Sequence, residues 1–180
     1  LNKYVPNIPS STSDQKIILI GTTKGHLSCS SYNDIVLNII DGTPPKIDLN
    51  KELKYGNFIN KLSNKNLITS CKDLSDGGIA IALSELCSSS NVGCTIKLEN
   101  EKTIPWLFGE DQARYIVTCN SEKTNIILKT AKKLNIEAKE IGELNGKFIQ
   151  IIEKSGKSEK ISIEKIQNIR NNWFKNYFKE

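Results

Sequence analysis

The sequence predicts an α/β domain in which a mixed sheet is flanked by helices. Three observations lead there. Short apolar runs of strand length alternate irregularly with segments of helical periodicity, which excludes both an all-helical bundle and a regular βαβ repeat. A chain of 180 residues, 38% of them hydrophobic, is long enough to bury roughly 70% of the surface its unfolded form exposes. No internal repeat or low-complexity segment divides it.

Residues 1–14, with Pro6, Pro9 and a run of Ser and Thr, carry loop signals and are expected to enter as a linker from a preceding domain. Residues 15–180 are then one α/β domain. Lys16 to Ile20 is a continuous apolar run stopped by Gly21, which suits a strand buried on both faces. From Ser30 to Ile40 the positions Ile35, Val36, Ile39 and Ile40 recur at helical spacing before the breaker Asp41 to Pro45. A second helix fits Asn50 to Leu62, with Asn50 as its cap and Leu53, Phe58, Ile59 and Leu62 as its apolar side. Residues 67–71 read as a strand, and after a polar turn Ile79 to Cys87 is apolar nearly all round, the pattern of a buried helix.

Strands are expected over 92–98 and 114–119, flanking the segment that contains Trp106, Leu107 and Phe108. Ser121 is placed to cap a helix running to Leu134 with Ile126, Ile127, Ala131 and Leu134 inward. Two strands over 140–152 are expected to form a hairpin about Asn145-Gly146. An amphipathic helix from Ile163 to Phe178, carrying Ile166, Ile169, Trp173 and Phe174, closes the chain.

Composition narrows the function classes. The formal net charge is +5, but arginine occurs only at 114 and 170 and the lysines are interleaved with acids, so no nucleic-acid partner is expected. No apolar run reaches the ~20 residues of a membrane span and residues 1–13 lack a signal-peptide plan, so the cytoplasm is the simplest location. Five cysteines without a C-x-x-C pair and a single histidine, His26, argue against a zinc site or a disulfide framework. The absence of Met and the start at Leu1 read as a piece of something longer.

Two stretches carry candidate chemistry. The turn containing Asp73, Ser75, Asp76, Gly77 and Gly78 lies between a strand and a helix. There glycines admit a close ligand, helix-start N–H groups favour an anion, and the carboxylates would require Mg²⁺ between them and a phosphate. The plainer alternative, which spacing alone favours, is that Asp76 caps the helix and Asp73 fixes the turn. The second stretch, Glu110, Asp111, Gln112 and Arg114, combines carboxylates, an amide and a forked donor suited to a ribose or an amide-bearing substrate. Its plainer alternative, again the one spacing favours, is an exposed turn whose Glu110 or Asp111 pairs with Arg114.

Together these stretches resemble a known family. Residues 73–85 are similar to the D-x-S-D-G-G-L-A-x-A-L-x-E signature of C-terminal domains in the aminoimidazole ribonucleotide synthetase superfamily. Within it, residues 19–27 with Ser30, Ser31 and Tyr32 resemble the L-L-G-x-T-K-x-x-L…S-x-Y segment of formylglycinamidine synthases. Residues 42–49 resemble their G-x-P-P-x-V-D-L, and residues 107–114 their L-F-x-E-x-Q-x-R. Four motifs in order cover almost the whole chain. Lys72 stands where the family often places His, and Thr22 where it places an acid.

The resemblance implies the C-terminal, second B domain of a synthase subunit built from two A-plus-B repeats. That ligase of purine biosynthesis uses ATP, Mg²⁺ and glutamine-derived ammonia to turn formylglycinamide ribonucleotide into its amidine, by phosphorylating the amide oxygen and displacing phosphate. Its partners would be the preceding domains, a glutaminase and a small accessory subunit. Asp73 matches the Mg²⁺-binding Asp of the first copy, and Glu110, Asp111 and Gln112 match its substrate triplet; here they and the 75–78 turn would line an auxiliary nucleotide site. The main active site would lie in the preceding domains, so this piece alone is expected to be inactive and to hold no cofactor tightly. The alternatives are aminoimidazole ribonucleotide synthetase itself, which the T-K-x-x-L and G-x-P-P segments fit less well, and a scaffolding domain that has lost the site.

Overall fold

The computed structural model describes residues 5–9, 14–99 and 102–177. Thirteen elements follow in the order β1 (Gln15–Ile20), α1 (Ser31–Leu37), α2 (Leu49–Asn64), β2 (Ser70–Asp73), α3 (Gly78–Ser90), β3 (Cys94–Lys97), α4 (Thr103–Phe108), β4 (Tyr115–Asn120), α5 (Ser121–Lys133), β5 (Ala138–Leu144), β6 (Phe148–Ile152), β7 (Ser158–Ser162) and α6 (Ile163–Tyr177). The strands form one sheet in the order β2-β4-β1-β5-β3-β6-β7. Only β3 and β6 run parallel; every other neighbouring pair is antiparallel. The mixed α/β architecture is the predicted one.

β1 organises the two cores. Its side chains alternate across the sheet, so Ile17 and Leu19 join a cluster with α3, α4 and α6 through Ile79, Leu83, Leu86, Trp106 and Ile163. Ile18 and Ile20 join the opposite cluster with α2 and α5 through Tyr55, Phe58, Leu62, Ile127 and Ala131. All four β1 side chains are buried, so this strand is the doubly buried one its unbroken apolar run predicts.

Several expectations are corrected. The cap of α2 is Asp48, whose carboxylate accepts from the N–H groups of Asn50 and Lys51 at 3.1 and 3.0 Å; Asn50 lies inside the helix, and Leu53 is exposed. Ser121 is the first residue of α5, after an N-cap Asn120 that makes no side-chain cap bond, and Ile126 and Leu134 point outward while Thr124, Ile127 and Ala131 are buried. α3 is buried along most of its length, but Ile81 faces solvent. α1 is shorter than its apolar pattern and buries no residue. On α6, Ile163 and Ile166 pack inward, Ile169 and Trp173 are exposed, and the side chain of Phe174 together with Phe178 lies outside the described residues. So do residues 1–4 and 10–13 of the expected linker; within its described part, Pro6 O accepts from Cys71 N on edge strand β2 at 2.8 Å.

The hairpin at Asn145-Gly146 does not form. β3 lies between β5 and β6, with Cys94 opposite Leu144 on one side and Ile149 on the other. Gly93 explains the substitution: its N–H donates to Gly146 O and its carbonyl accepts from Asn145 N, so the start of β3 occupies the bonds a tight turn would use. A Cβ on Gly93 would come within 2.1 Å of Phe148 O. Tertiary pairing thus overrides the local turn signal. Strand β7 and helix α4 have no counterpart in the periodicity reading, since β7 is almost wholly exposed and polar and α4 spans six residues.

Leu83 is 1% exposed at the centre of the α3 packing. Leu83→Ala should lower unfolding free energy by about 2–5 kcal/mol in a urea titration, whereas Leu53→Ala on exposed α2 surface should stay within about 0.5 kcal/mol.

Candidate functional site

The two candidate stretches meet at one edge of the sheet. Asp73 ends β2 directly opposite Tyr115, the first residue of β4, and Leu74 N donates to Arg114 O at 3.0 Å. Strand pairing alone therefore sets the 73–78 turn beside the 110–114 loop. A cleft of about 270 Å³ between them is lined by Asp73, Ser75, Asp76, Glu110, Gln112 and Arg114, with Glu52 and Tyr115 closing it. Asp73, Ser75, Asp76 and Gln112 are exposed; Gly77 and Gly78 are buried and do not line the cleft.

Gly78 explains why a small residue stands there. Its φ is +61° and a Cβ would come within 2.6 Å of Gly109 O, so the start of α3 packs directly on the backbone that ends α4. Asp76 does not cap α3. The N-cap is Gly77, without a side-chain cap bond, and Glu110 from the other loop accepts its N–H at 2.7 Å. The same Oε1 accepts from Ser31 N at 2.8 Å, where α1 begins. One carboxylate oxygen thus joins two helix starts, each a natural seat for negative charge.

Asp111 is committed more fully. Its Oδ2 accepts from three consecutive N–H groups, Lys24 at 3.0 Å, Gly25 at 2.9 Å and His26 at 3.4 Å. Such a nest of amides would suit a phosphate oxygen, and here the chain's own carboxylate fills it. Arg114 is 2% exposed. It donates to Asp111 O at 2.7 Å, Gly109 O at 2.6 Å and Thr23 Oγ1 at 2.9 Å, with its Nη1 4.0 Å from Asp111 Oδ2. Burial lowers its pKa, opposed by the charges of Asp111 and Glu110. The pairing of Asp111 with Arg114 is therefore present, but buried in the floor of the site instead of exposed.

Sequence reading missed Glu52, whose Oε1 accepts from Ala113 N at 2.7 Å. It sits on α2, far from either motif in sequence, and no local signal marks it. Tyr115 was read only as strand; its phenol is pushed upward, first by burial and then by Glu52, Cys71 and Asp73. Beside Asp73, burial and that carboxylate push the Cys71 thiol up to about 12. Lys72, the departure from the family pattern, forms an ion pair with Glu85 on α3. Among the described residues no group of three or more His, Cys, Asp or Glu is arranged to hold a metal ion, all five cysteines are free, and no helix is long and apolar enough to cross a membrane.

Residues 12–153 match the family described as AIR synthase related protein, C-terminal domain. The chain belongs to that family. It is 35% identical over 163 residues to the phosphoribosylformylglycinamidine synthase subunit PurL of Allorhizobium ampelinum, covering 89% of this chain and 21% of that protein. To the subunit of the same name from Pelagibacter ubique it is 36% identical over 166 residues, covering 91% and 22%. The chain thus spans about a fifth of the length of these curated relatives. The solved structure of Thermotoga maritima PurL complexed with FGAR superposes with a TM-score of 0.77 at 19% identity, over 91% of this chain and 29% of that one, which establishes the AIR synthase-type C-terminal fold.

Two outcomes check this account of the site. Asp111→Ala strands the buried Arg114 charge and three amides, and should cost about 3–5 kcal/mol in a denaturant titration, if the variant folds at all. Alkylation at about pH 8.5 should modify exposed Cys29 and spare Cys71, whose thiolate is nearly unpopulated there; peptide mapping by mass spectrometry reads both.

Proposed function

We propose that this chain is the C-terminal, second B domain of a phosphoribosylformylglycinamidine synthase, the ATP-dependent ligase that makes formylglycinamidine ribonucleotide during purine synthesis. The observation that carries the proposal is the 35–36% identity, across about nine-tenths of this chain, to subunits of that name. In this reading residues 1–14 are the linker, 15–180 the domain, and the working location the cytoplasm. The partners are the preceding domains, a glutaminase and a small accessory subunit. The Thermotoga maritima relative has been solved with ATP and within an assembly called PurLQS, which supports the nucleotide and the partner subunits.

The cleft would serve as an auxiliary nucleotide site. Asp73 and Asp76 stand free of the backbone bonds that occupy Glu110 and Asp111, and one or two carboxylates completed by phosphate oxygens is how Mg²⁺ is commonly held. The residues present fit that role and not an all-protein metal cage, because no third ligand converges with them among the described residues. When bound, the ion would neutralise phosphate charge. Asp73 would hold it, and Gln112 and Ser75 would offer hydrogen bonds to the nucleotide, while Gly77 and Gly78, packed on Ile81 and on the backbone that ends α4, would serve the site only by fixing the turn.

A specific observation favours a second reading. Glu110 and Asp111, the counterparts of the family's substrate triplet, spend oxygens on five backbone N–H groups. The site of this copy would then be architectural and the domain a scaffold. Calorimetry separates the two: the auxiliary site predicts Mg²⁺-ATP binding by this chain with a Kd of about 1 mM or weaker, abolished by Asp73→Asn, and the scaffold predicts none. In either case the purified chain supplied with formylglycinamide ribonucleotide, ATP and ammonia should give no turnover, since the groups that transfer phosphate would lie in the preceding domains. Turnover by the isolated chain would overturn the assignment.

A further inference from the structure

The net charge of +5 is not spread evenly over the molecule. Residues 49–65 and 121–133, which are α2 with its C-cap Lys65 and α5, hold eight of the 25 basic residues and two of the 20 acids. Their net charge is +6, so the remainder of the chain is close to neutral at −1. Both helices lie on one face of the sheet, packed on it through Tyr55, Phe58, Leu62, Ile127 and Ala131. Lys54 Nζ donates to Asn135 O at 2.8 Å and Tyr55 bonds Glu137, so the start of α2 meets the exit of α5. At the other end Thr69 N donates to Thr118 O at 2.8 Å, which brings the chain after α2 to the strand that leads into α5. The two helices therefore run in opposite senses and share one outer surface.

The alternation of lysines with acids along the sequence, which argues against a nucleic-acid partner, does not persist in space. Glu52 turns to the cleft and accepts from Ala113 N, and Glu122 pairs with Lys123 at 3.0 Å. Among the described residues the other seven lysines of the two helices have no ion-pair partner. Lys51 lies over the Tyr55 ring at 5.2 Å; Lys61, Lys65, Lys129, Lys132 and Lys133 are exposed. Between them the surface presents the exposed amides of Asn57, Asn60 and Asn125. No lysine lines the cleft.

We propose that the outer surface of α2 and α5 binds the phosphate backbone of a nucleic-acid duplex without reading its sequence. Lysine and asparagine are among the side chains that contact phosphate oxygens. The 16 residues of α2 extend about 24 Å, a length over which a duplex presents about fourteen phosphates, enough to engage every exposed lysine. Neither helix contains arginine, since Arg114 lies in the floor of the site and Arg170 on α6, so the forked donor that reads guanine is absent. Tyr55 and Phe58 are buried and no aromatic ring is exposed on either helix. That removes the stacking platform of single-strand binders and the rings that anchor a surface helix in lipid. Protein interfaces are poor in lysine and rich in aromatic residues and arginine, so an acidic protein fits the surface less well than phosphates do.

The test follows the anisotropy of a fluorescein-labelled RNA duplex with this chain and with the complete polypeptide that contains it. We expect both to bind, with an affinity that falls by about 100-fold or more between roughly 50 and 200 mM salt, as for about four or five neutralised phosphates. Lys61→Glu with Lys129→Glu should weaken binding by about ten-fold or more and lower the salt slope by about two. Lys157→Glu with Lys165→Glu, the same change of charge at the β7 end of the molecule, should alter it by less than about three-fold. Equal losses in the two pairs, or no binding at the lower salt, would overturn the proposal. So would binding to poly-glutamate or to phosphatidylserine vesicles as tight as to the duplex, which would make the surface a general polyanion site or a membrane site. Binding by the short chain and none by the complete polypeptide would show the surface to be covered in the whole protein and would overturn it as well. The readout involves neither the cleft nor ligase activity, so the basic surface and the proposed function can fail independently.

Discussion

The buried Arg114 is the constraint on which the site end of the domain depends. A guanidinium cannot shed its charge inside a protein, so everything around it is arranged to answer that charge. Asp111 lies beside it, the carbonyls of Gly109 and Asp111 and the hydroxyl of Thr23 take its donors, and Asp111 in turn gathers the 24–26 amides. The loop after β1, the end of α4 and the start of β4 are thereby fixed to one another. Glu110 extends the arrangement to α1 and α3, and Glu52 joins α2 through Ala113. Six parts of the chain meet through three carboxylates and one arginine.

That arrangement divides labour among acids the sequence presents as equals. Of the four carboxylates singled out in the two motifs, Glu110 and Asp111 face backbone amides, and Asp73 and Asp76 face the open cleft. An acid that satisfies helix starts and loop amides stabilises geometry; an acid in solvent is available to a cation. The distinction is invisible in spacing, because it depends on residues 24–31, some eighty positions earlier, arriving at the same place.

How much was legible follows from the range of each interaction. β1 was readable because burial on both faces demands an unbroken apolar run, and the convergence of the two motifs was readable only through the family resemblance, which assigns both to one site. The cap of α2 was misplaced by two residues, since Asp48 and Asn50 are both capping types and the backbone decides between them. The hairpin was wrong because Asn-Gly reports local turn preference and cannot register that another strand will intervene. β7 escaped because an exposed edge strand carries charge against aggregation in place of alternation. Glu52 could not have been found, since its partner is sixty-one residues away.

The insertion of β3 between β5 and β6 also bears on how the chain folds. Its two neighbours lie on one side and the other of Asn145, and Thr95 bonds to Asn145 across a separation of 50 residues. Pairing β3 with either neighbour closes a loop of several tens of residues, and the entropy of that closure opposes both pairings. A sheet assembled this way belongs with the slowly folding, high-contact-order topologies. In any partly folded form that lacks the β3 pairing, Phe148 to Ile152 would have an open edge, the kind of surface through which chains misassociate.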